Sequence, residues 1–209
     1  MQHELIWKYT EDYPTESAAV EAARRHSLEL GVTAVSRAVG AQLRFLASAT
    51  GAKAMLEIGT GAGVSGLFLF EGAPEGVLTT IDVEPDYQAS ARSSYLQAGI
   101  AANRQRFIAG RAQGVLPRMS DGAYDLVVVD ADADGVLGYV EHALRTVRDG
   151  GMVLVAHALQ QGRVADPARR DPELADYRAL LDTVRESAAV QVSLSTAGDG
   201  LLQLVKLGG

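Results

Sequence analysis

The sequence predicts an α/β fold: a doubly wound sheet of seven strands, mostly parallel, with helices on both faces. Three observations carry that prediction. From Ala52 onward, short apolar runs alternate with helical stretches. The runs are nearly continuous, as in Leu126-Val127-Val128-Val129, which marks strands buried on both faces. The last two runs are separated by Ala197-Gly198-Asp199-Gly200, turn chemistry so short that the strands must be antiparallel.

Taken in order, the first segment runs to about Pro14. It is polar with scattered aromatics, Trp7, Tyr9 and Tyr13, and is expected to be a loose arm or one that docks on a partner. Thr15 is placed to cap a helix that runs to about Leu30 and stops at Gly31. A second helix is expected over 36–50, where Val39, Leu43 and Leu46 recur at helical spacing. Residues 1–50 thus form an N-terminal extension, and 51–209 the core of a single domain. Strands are predicted near 53–58, 77–82, 105–109, 124–130 and 151–156. Helices fall near 64–71, 86–98, 111–120 and 134–148. Val136, Val140, Leu144 and Val147 share one face of the last, which Gly150-Gly151 should end. A helix near 172–187 precedes the closing runs, 189–196 and 201–207. Residues 159–172 lack clear periodicity, and a loop of that length at the end of a strand usually has a function.

At 209 residues, 47% of them hydrophobic and 22% charged, the chain has the composition of one soluble globular domain. A net charge of −7 argues against a large surface for nucleic acid or anionic membrane. There is no cysteine, which excludes disulfides, thiolate metal sites and cysteine nucleophiles. The start, Met1-Gln2-His3-Glu4, lacks a basic and then apolar leader, and no run nears the ~18 apolar residues of a membrane span. The expected location is the cytoplasm.

Open α/β sheets bind ligands beyond the carboxyl ends of their strands. The first strand ends in Glu57 and a glycine turn, Gly59-Thr60-Gly61-Ala62-Gly63, that leads into a helix. Such a turn suits two ligands: a dinucleotide, whose pyrophosphate sits on the helix start, or S-adenosylmethionine. Gly61-Ala62-Gly63-Val64-Ser65-Gly66 matches the dinucleotide pattern G-x-G-x-x-G, which is weak evidence alone. The second strand ends in Asp82, where a carboxylate can accept hydrogen bonds from a ribose diol or serve as a turn residue. The third leads into Gly110-Arg111-Ala112-Gln113, the fourth ends in Asp130, and the fifth in Ala156-His157. Glu57 is either functional or a buried carboxylate held by backbone N–H groups. Asp130, Asp132 and Asp134 are helix caps or site residues, with Asp130 the best placed. His157 is a structural histidine or a site residue.

A parallel sheet closed by an antiparallel hairpin is the arrangement of Rossmann-like S-adenosylmethionine-dependent methyltransferases. The chain resembles the small bacterial O-methyltransferases related to catechol and caffeoyl-CoA O-methyltransferases. The resemblance rests on Leu56-Glu57-Ile58-Gly59-Thr60-Gly61, Leu78-Thr79-Thr80-Ile81-Asp82, Gly110-Arg111-Ala112-Gln113 and Asp125-Leu126-Val127-Val128-Val129-Asp130-Ala131-Asp132. It implies that Glu57 and Gly59 to Gly63 (Gly59, Thr60, Gly61 and Gly63 among them) line the methionine part of the cofactor, with Ser65 near its carboxylate. Asp82 would hold the ribose, Val83 would border the adenine, and Ala112 and Gln113 would contact its edge. Val35 and Ser36 match a segment that closes over the cofactor. Asp130 would lie nearest the reactive methyl, with Ala131 beside it. A homodimer is also implied.

Two departures bear on mechanism. Family members that use magnesium hold it with the Asp at position 130 and an Asp-Asn pair ending the fifth strand. Here the pair is Ala156-His157, and the family's lysine is replaced by Ala133. A divalent ion therefore finds a poor oxygen site, and no metal ligand is assigned. Without metal, a hydroxyl acceptor needs a general base. His157 is the expected base, with Asp130 or Asp132 as runner-up. The predicted activity is S-adenosylmethionine-dependent O-methylation of a small hydroxylated, aromatic acceptor. The alternatives are a nicotinamide-dependent oxidoreductase and a cofactor-binding homologue without transfer activity.

Overall fold

The computed structural model describes residues 2–208, and of His3 the backbone alone. Seven strands form one sheet: β1 Ala54–Ile58, β2 Val77–Asp82, β3 Gln105–Ala109, β4 Tyr124–Val129, β5 Val147–Val155, β6 Val190–Ser195 and β7 Leu201–Lys206. Their order is β3-β2-β1-β4-β5-β7-β6. β1 to β5 are parallel, and β7 runs antiparallel between β5 and β6. The strand order reverses between β1 and β4, so the crevice for a ligand opens beyond their carboxyl ends.

The helices are α1 Gln2–Asp12, α2 Ala18–Glu29, α3 Arg37–Ala49, α4 Val64–Gly72, α5 Pro85–Gln97, α6 Ala112–Val115, α7 Val136–Thr146 and α8 Pro172–Glu186. Successive strand side chains point to opposite faces, so a continuous apolar run fills two cores at once. In β4, Leu126 and Val128 join a core under α2 to α5, while Val127 and Val129 join one under α7 and α8. Val20 and Ala23 of α2 and Val39 and Leu43 of α3 lie in the first of these cores. The N-terminal extension is therefore packed into the same apolar interior as β1 and β4. Among the described residues no helix is long and apolar enough to cross a membrane.

Several local expectations are corrected. The arm before Pro14 is not loose but helical, as α1. Ser17, not Thr15, caps α2, its hydroxyl accepting from Val20 N–H. The helix over 111–120 is shortened to α6 and a following 3₁₀ turn, Leu116–Arg118. Pro117 lacks the N–H that would continue it. α7 stops at Thr146 because β5 starts at Val147, and Gly150-Gly151 lies inside that strand. There the register slips, with Tyr124 opposite Val147 but Leu126 opposite Met152. Gly150 takes φ 73°, which suits the bulge.

Candidate active site

A cavity of about 390 Å³ lies beyond the carboxyl ends of β1, β2 and β4. Its walls come from the glycine turn after β1, Asp82 and Val83 after β2, Ala112 and Gln113 at the start of α6, and Asp130, Ala131 and Asp132 after β4. The segment 32–35 closes it from the N-terminal side. Of the sequence-predicted residues, Val35, Gly59, Thr60, Gly61, Ser65, Asp82, Val83, Ala112, Gln113, Asp130, Ala131 and Asp132 line this one space.

The turn is held open by two devices. Gly59 has φ 97°, and a Cβ there would lie 1.8 Å from the Asp130 carbonyl oxygen. Only glycine lets β1 and β4 approach this closely at the crevice. Asp82 then ties the turn down: its Oδ2 accepts the N–H of Thr60 at 2.9 Å and of Gly61 at 3.0 Å. Its Oδ1 accepts Glu84 N–H at 3.0 Å. Each oxygen has about two acceptor sites, so Oδ1 keeps capacity for a ribose hydroxyl. Asp82 is thus a loop anchor as well as the expected ribose ligand.

Four expected residues lie elsewhere. Glu57 is fully buried beneath the floor of the cavity. Ser65 Oγ donates to its Oε1 at 2.7 Å and Thr80 Oγ to its Oε2 at 2.6 Å, so hydroxyls rather than backbone N–H groups hold it. Burial pushes its pKa up to about 8; the hydroxyl bonds oppose this, and the charges of Asp130 and Asp82 add to it. Gly63, with φ 91°, is the residue from which α4 starts, and does not line the cavity. Ser36 caps α3, its hydroxyl accepting Val39 N–H at 3.2 Å, which turns it away from the cavity. His157 lies outside the cavity wall but abuts it through Asp130.

The His157 ring is clamped. Nδ1 donates to Asp199 Oδ1 at 2.7 Å, and Nε2 lies 3.3 Å from Asp130 Oδ1. Asp130 first and Asp199 second raise its pKa to about 10, against the opposing effect of burial. That shift weighs against the expected role of His157 as general base. A base needs a free lone pair on nitrogen, and the raised pKa favours the doubly protonated ring, which has none.

Sequence reasoning missed four further groups. The Tyr139 hydroxyl donates to Asp132 Oδ1 and accepts from Gln113 Nε2, both at 2.7 Å, linking two walls of the cavity. Ser27 is buried, lines the cavity, and its hydroxyl has no protein partner among the described residues. Arg178 of α8 binds the carbonyls of Arg163, Val164, Asp166 and Arg169, which fixes the loop over 159–172. Asp199 was legible only as a turn residue. Nothing local to these residues marks them; each acquires its role from a tertiary neighbour.

The sequence profile of the O-methyltransferase family matches residues 12–207. The chain belongs to that family. An O-methyltransferase relative from Mycobacterium marinum, so named provisionally, is 43% identical over 204 residues, covering 97% of this chain and 91% of its own. A protein of known structure from Corynebacterium glutamicum superposes with TM-score 0.90 at 29% identity, covering 100% and 99% of the two chains. The O-methyltransferase TomG of Streptomyces achromogenes, involved in tomaymycin synthesis and solved in complex with S-adenosylmethionine, has TM-score 0.85 at 28% identity, covering 96% and 95%.

In this O-methyltransferase, the ends of β4 and β5 offer one carboxylate, Asp130, with an oxygen already facing His157. Ala156 provides no side-chain donor. Among the described residues no group of three or more His, Asp or Glu side chains converges as a metal site. The donor set is a poor match to a hard cation that requires about six oxygens.

Proposed function

We propose that this O-methyltransferase methylates the hydroxyl of a small aromatic acceptor and does so without a divalent ion. The observation that supports the reading is the single cavity that runs from Ala112 and Gln113 past Asp82 to Asp130. That order suits the adenine, ribose and sulfonium of S-adenosylmethionine. The residues present fit that cofactor: glycine backbone for close approach, a free acceptor on Asp82, and the unpartnered Ser27 hydroxyl within the wall. A nicotinamide-dependent oxidoreductase is disfavoured by the family to which the chain belongs.

When bound, S-adenosylmethionine supplies a methyl carbon that bonds to the acceptor oxygen while its bond to sulfur breaks, the electron pair staying on sulfur. The protein's part is to align the acceptor, exclude water and take up a proton. Asp130 lines the cavity and contacts the clamped His157, which supports its carboxylate as the group that receives the acceptor's hydroxyl proton. Asp132 is less free, because one oxygen already accepts the Tyr139 hydroxyl. The loop over 159–172, which Arg178 fixes, is the segment we assign to shaping the acceptor pocket.

Two measurements test the reading together. S-adenosylhomocysteine should raise the melting temperature, and NAD or NADP should not. Labelled S-adenosylmethionine with a panel of hydroxylated aromatics should then give a methyl ether. Cofactor binding with no transfer to any acceptor would favour the non-catalytic alternative.

A further inference from the structure

The mismatch between this chain and a magnesium site leaves a question of charge. A hydroxyl acceptor that loses its proton becomes an oxyanion, and a divalent ion is one way to stabilise it. At that place the structure has a built side-chain array instead. His157 Nδ1 is 2.7 Å from Asp199, and Nε2 is 3.3 Å from Asp130. Nδ1 is hydrogen-bonded to Asp199, and a second carboxylate beside Nε2 favours a proton on that nitrogen too. A ring protonated at both nitrogens is an imidazolium.

The backbone shows that this placement is specified. His157 has φ 57°, a left-handed conformation that costs a non-glycine residue about 1–3 kcal/mol. The cost is offset by a ladder between the end of β5 and the β6–β7 turn. Ala158 N–H donates to Gly200 O at 3.0 Å and Leu159 N–H to Asp199 O at 2.8 Å. Gln160 donates to His157 O from both its backbone and its side chain, each at 2.9 Å. The two segments touch so closely that a Cβ at Gly200 would lie 2.6 Å from Leu159 N. The turn therefore delivers the Asp199 carboxylate to Nδ1 as a fixed unit.

We propose that the His157 imidazolium, clamped by Asp199, replaces the divalent ion: its Nε2–H holds the acceptor oxygen and stabilises the oxyanion, with Asp199 as positioning residue. The inference rests on the transferase reading above. The 3.3 Å gap to Asp130 is long for a charge-assisted bond, which leaves the Nε2–H available to an incoming oxygen. In the step, the acceptor O–H bond breaks and its proton passes to the Asp130 carboxylate. The oxygen lone pair forms the new C–O bond, and the methyl–sulfur bond breaks with its pair on sulfur. His157 keeps both protons throughout. The titratable groups that act on it are Asp130 at the end of β4 and Asp199 in the β6–β7 turn, and Tyr177 of α8 feels the charge of the same two carboxylates. Burial holds the Tyr177 phenol up at about 12, so it is neutral in the working range.

The test combines histidine 15N NMR of the S-adenosylhomocysteine complex with the pH dependence of methylation, with EDTA present. Both His157 ring nitrogens should read as protonated at pH 8. The rate should persist to alkaline pH and fall as pH approaches about 10. Asp199→Asn should move that fall to lower pH, lower kcat about tenfold or more, and leave S-adenosylhomocysteine affinity within about twofold. His157→Gln should lower kcat about 100-fold, as loss of an oxyanion donor does. A neutral His157 ring at pH 8, a rate that rises as His157 deprotonates, or a rate abolished by EDTA and restored by magnesium would overturn the proposal. So would a folded His157→Gln with full kcat. If the ring is protonated but no acceptor is methylated, the transferase reading itself has failed, and this role with it.

Discussion

Fully buried Glu57 and half-buried His157 are both pushed towards the protonated state, Glu57 chiefly by burial and His157 by Asp130 and Asp199, with opposite consequences for charge. His157 becomes a cation between two anions. Glu57 becomes a neutral acid beneath the glycine turn, with a pKa near 8. Between about pH 4.5 and 8 the folded protein holds a proton on Glu57 that the unfolded chain has released, so stability falls as pH rises through that window. Glu57→Gln keeps a neutral group of the same shape. It should flatten this part of the stability profile, gaining on the order of a few kcal/mol at pH 8 relative to pH 5. Denaturant unfolding of both proteins at the two pH values measures it; parallel profiles would show that Glu57 is ionised in the fold. Such residues differ in how they could be read beforehand. Glu57, Asp82 and Asp130 were legible because a charged side chain at the end of an apolar strand is conspicuous. Asp199, Tyr139 and Ser27 were not, since Asp199 gains its role from a partner 42 positions away, Tyr139 from partners 26 and 7 positions away, and Ser27 from a cavity wall.

At the scale of elements, the strands were readable from apolar periodicity, whereas α1 was not. Its polar, aromatic sequence lacks a wide apolar stripe, and its helix is completed by contacts made far along the chain. Trp7 Nε1–H donates to Gly198 O at 3.1 Å, and Glu11 accepts Gly198 N–H. Gly198 takes φ 59°, and a Cβ there would meet Ser36 Oγ at 2.9 Å, so the turn is wedged between α1 and the start of α3. The next residue is Asp199. A chain of contacts thus links α1 to the His157 clamp without touching the cofactor cavity. Trp7→Phe with Glu11→Ala removes both ties, each worth about 0.5–1.5 kcal/mol. The double variant should lose roughly threefold to tenfold in kcat while S-adenosylhomocysteine affinity changes less than twofold. Equal losses in both would place the effect in general destabilisation instead.

At the scale of the whole molecule, α1 has an inner and an outer side. Trp7 faces the β6–β7 turn, while Leu5, Ile6, Tyr9 and, just past the helix, Tyr13 are each more than half exposed. Leu5, Tyr9 and Tyr13 recur every four residues, which aligns them along one stripe, and the Tyr9 and Tyr13 rings lie 6.1 Å apart. Phe45 of α3, 70% exposed, extends the apolar surface, and α1 packs on α3. Exposed large apolar groups grouped in this way mark an interface more often than a solvated face. The occupant we expect is a second copy of the chain, since a two-fold axis through α1 would set each stripe against its mate. Light scattering should then give twice the chain mass for the protein and the single-chain mass for Leu5→Glu combined with Tyr9→Glu. A wild-type monomer would remove the expectation. Because the inner side of the same helix holds the turn that carries Asp199, separation of the copies has a catalytic consequence. The monomeric variant should bind S-adenosylhomocysteine nearly as tightly as the parent but turn over more slowly, with the same kcat-selective loss as the Trp7 and Glu11 substitutions.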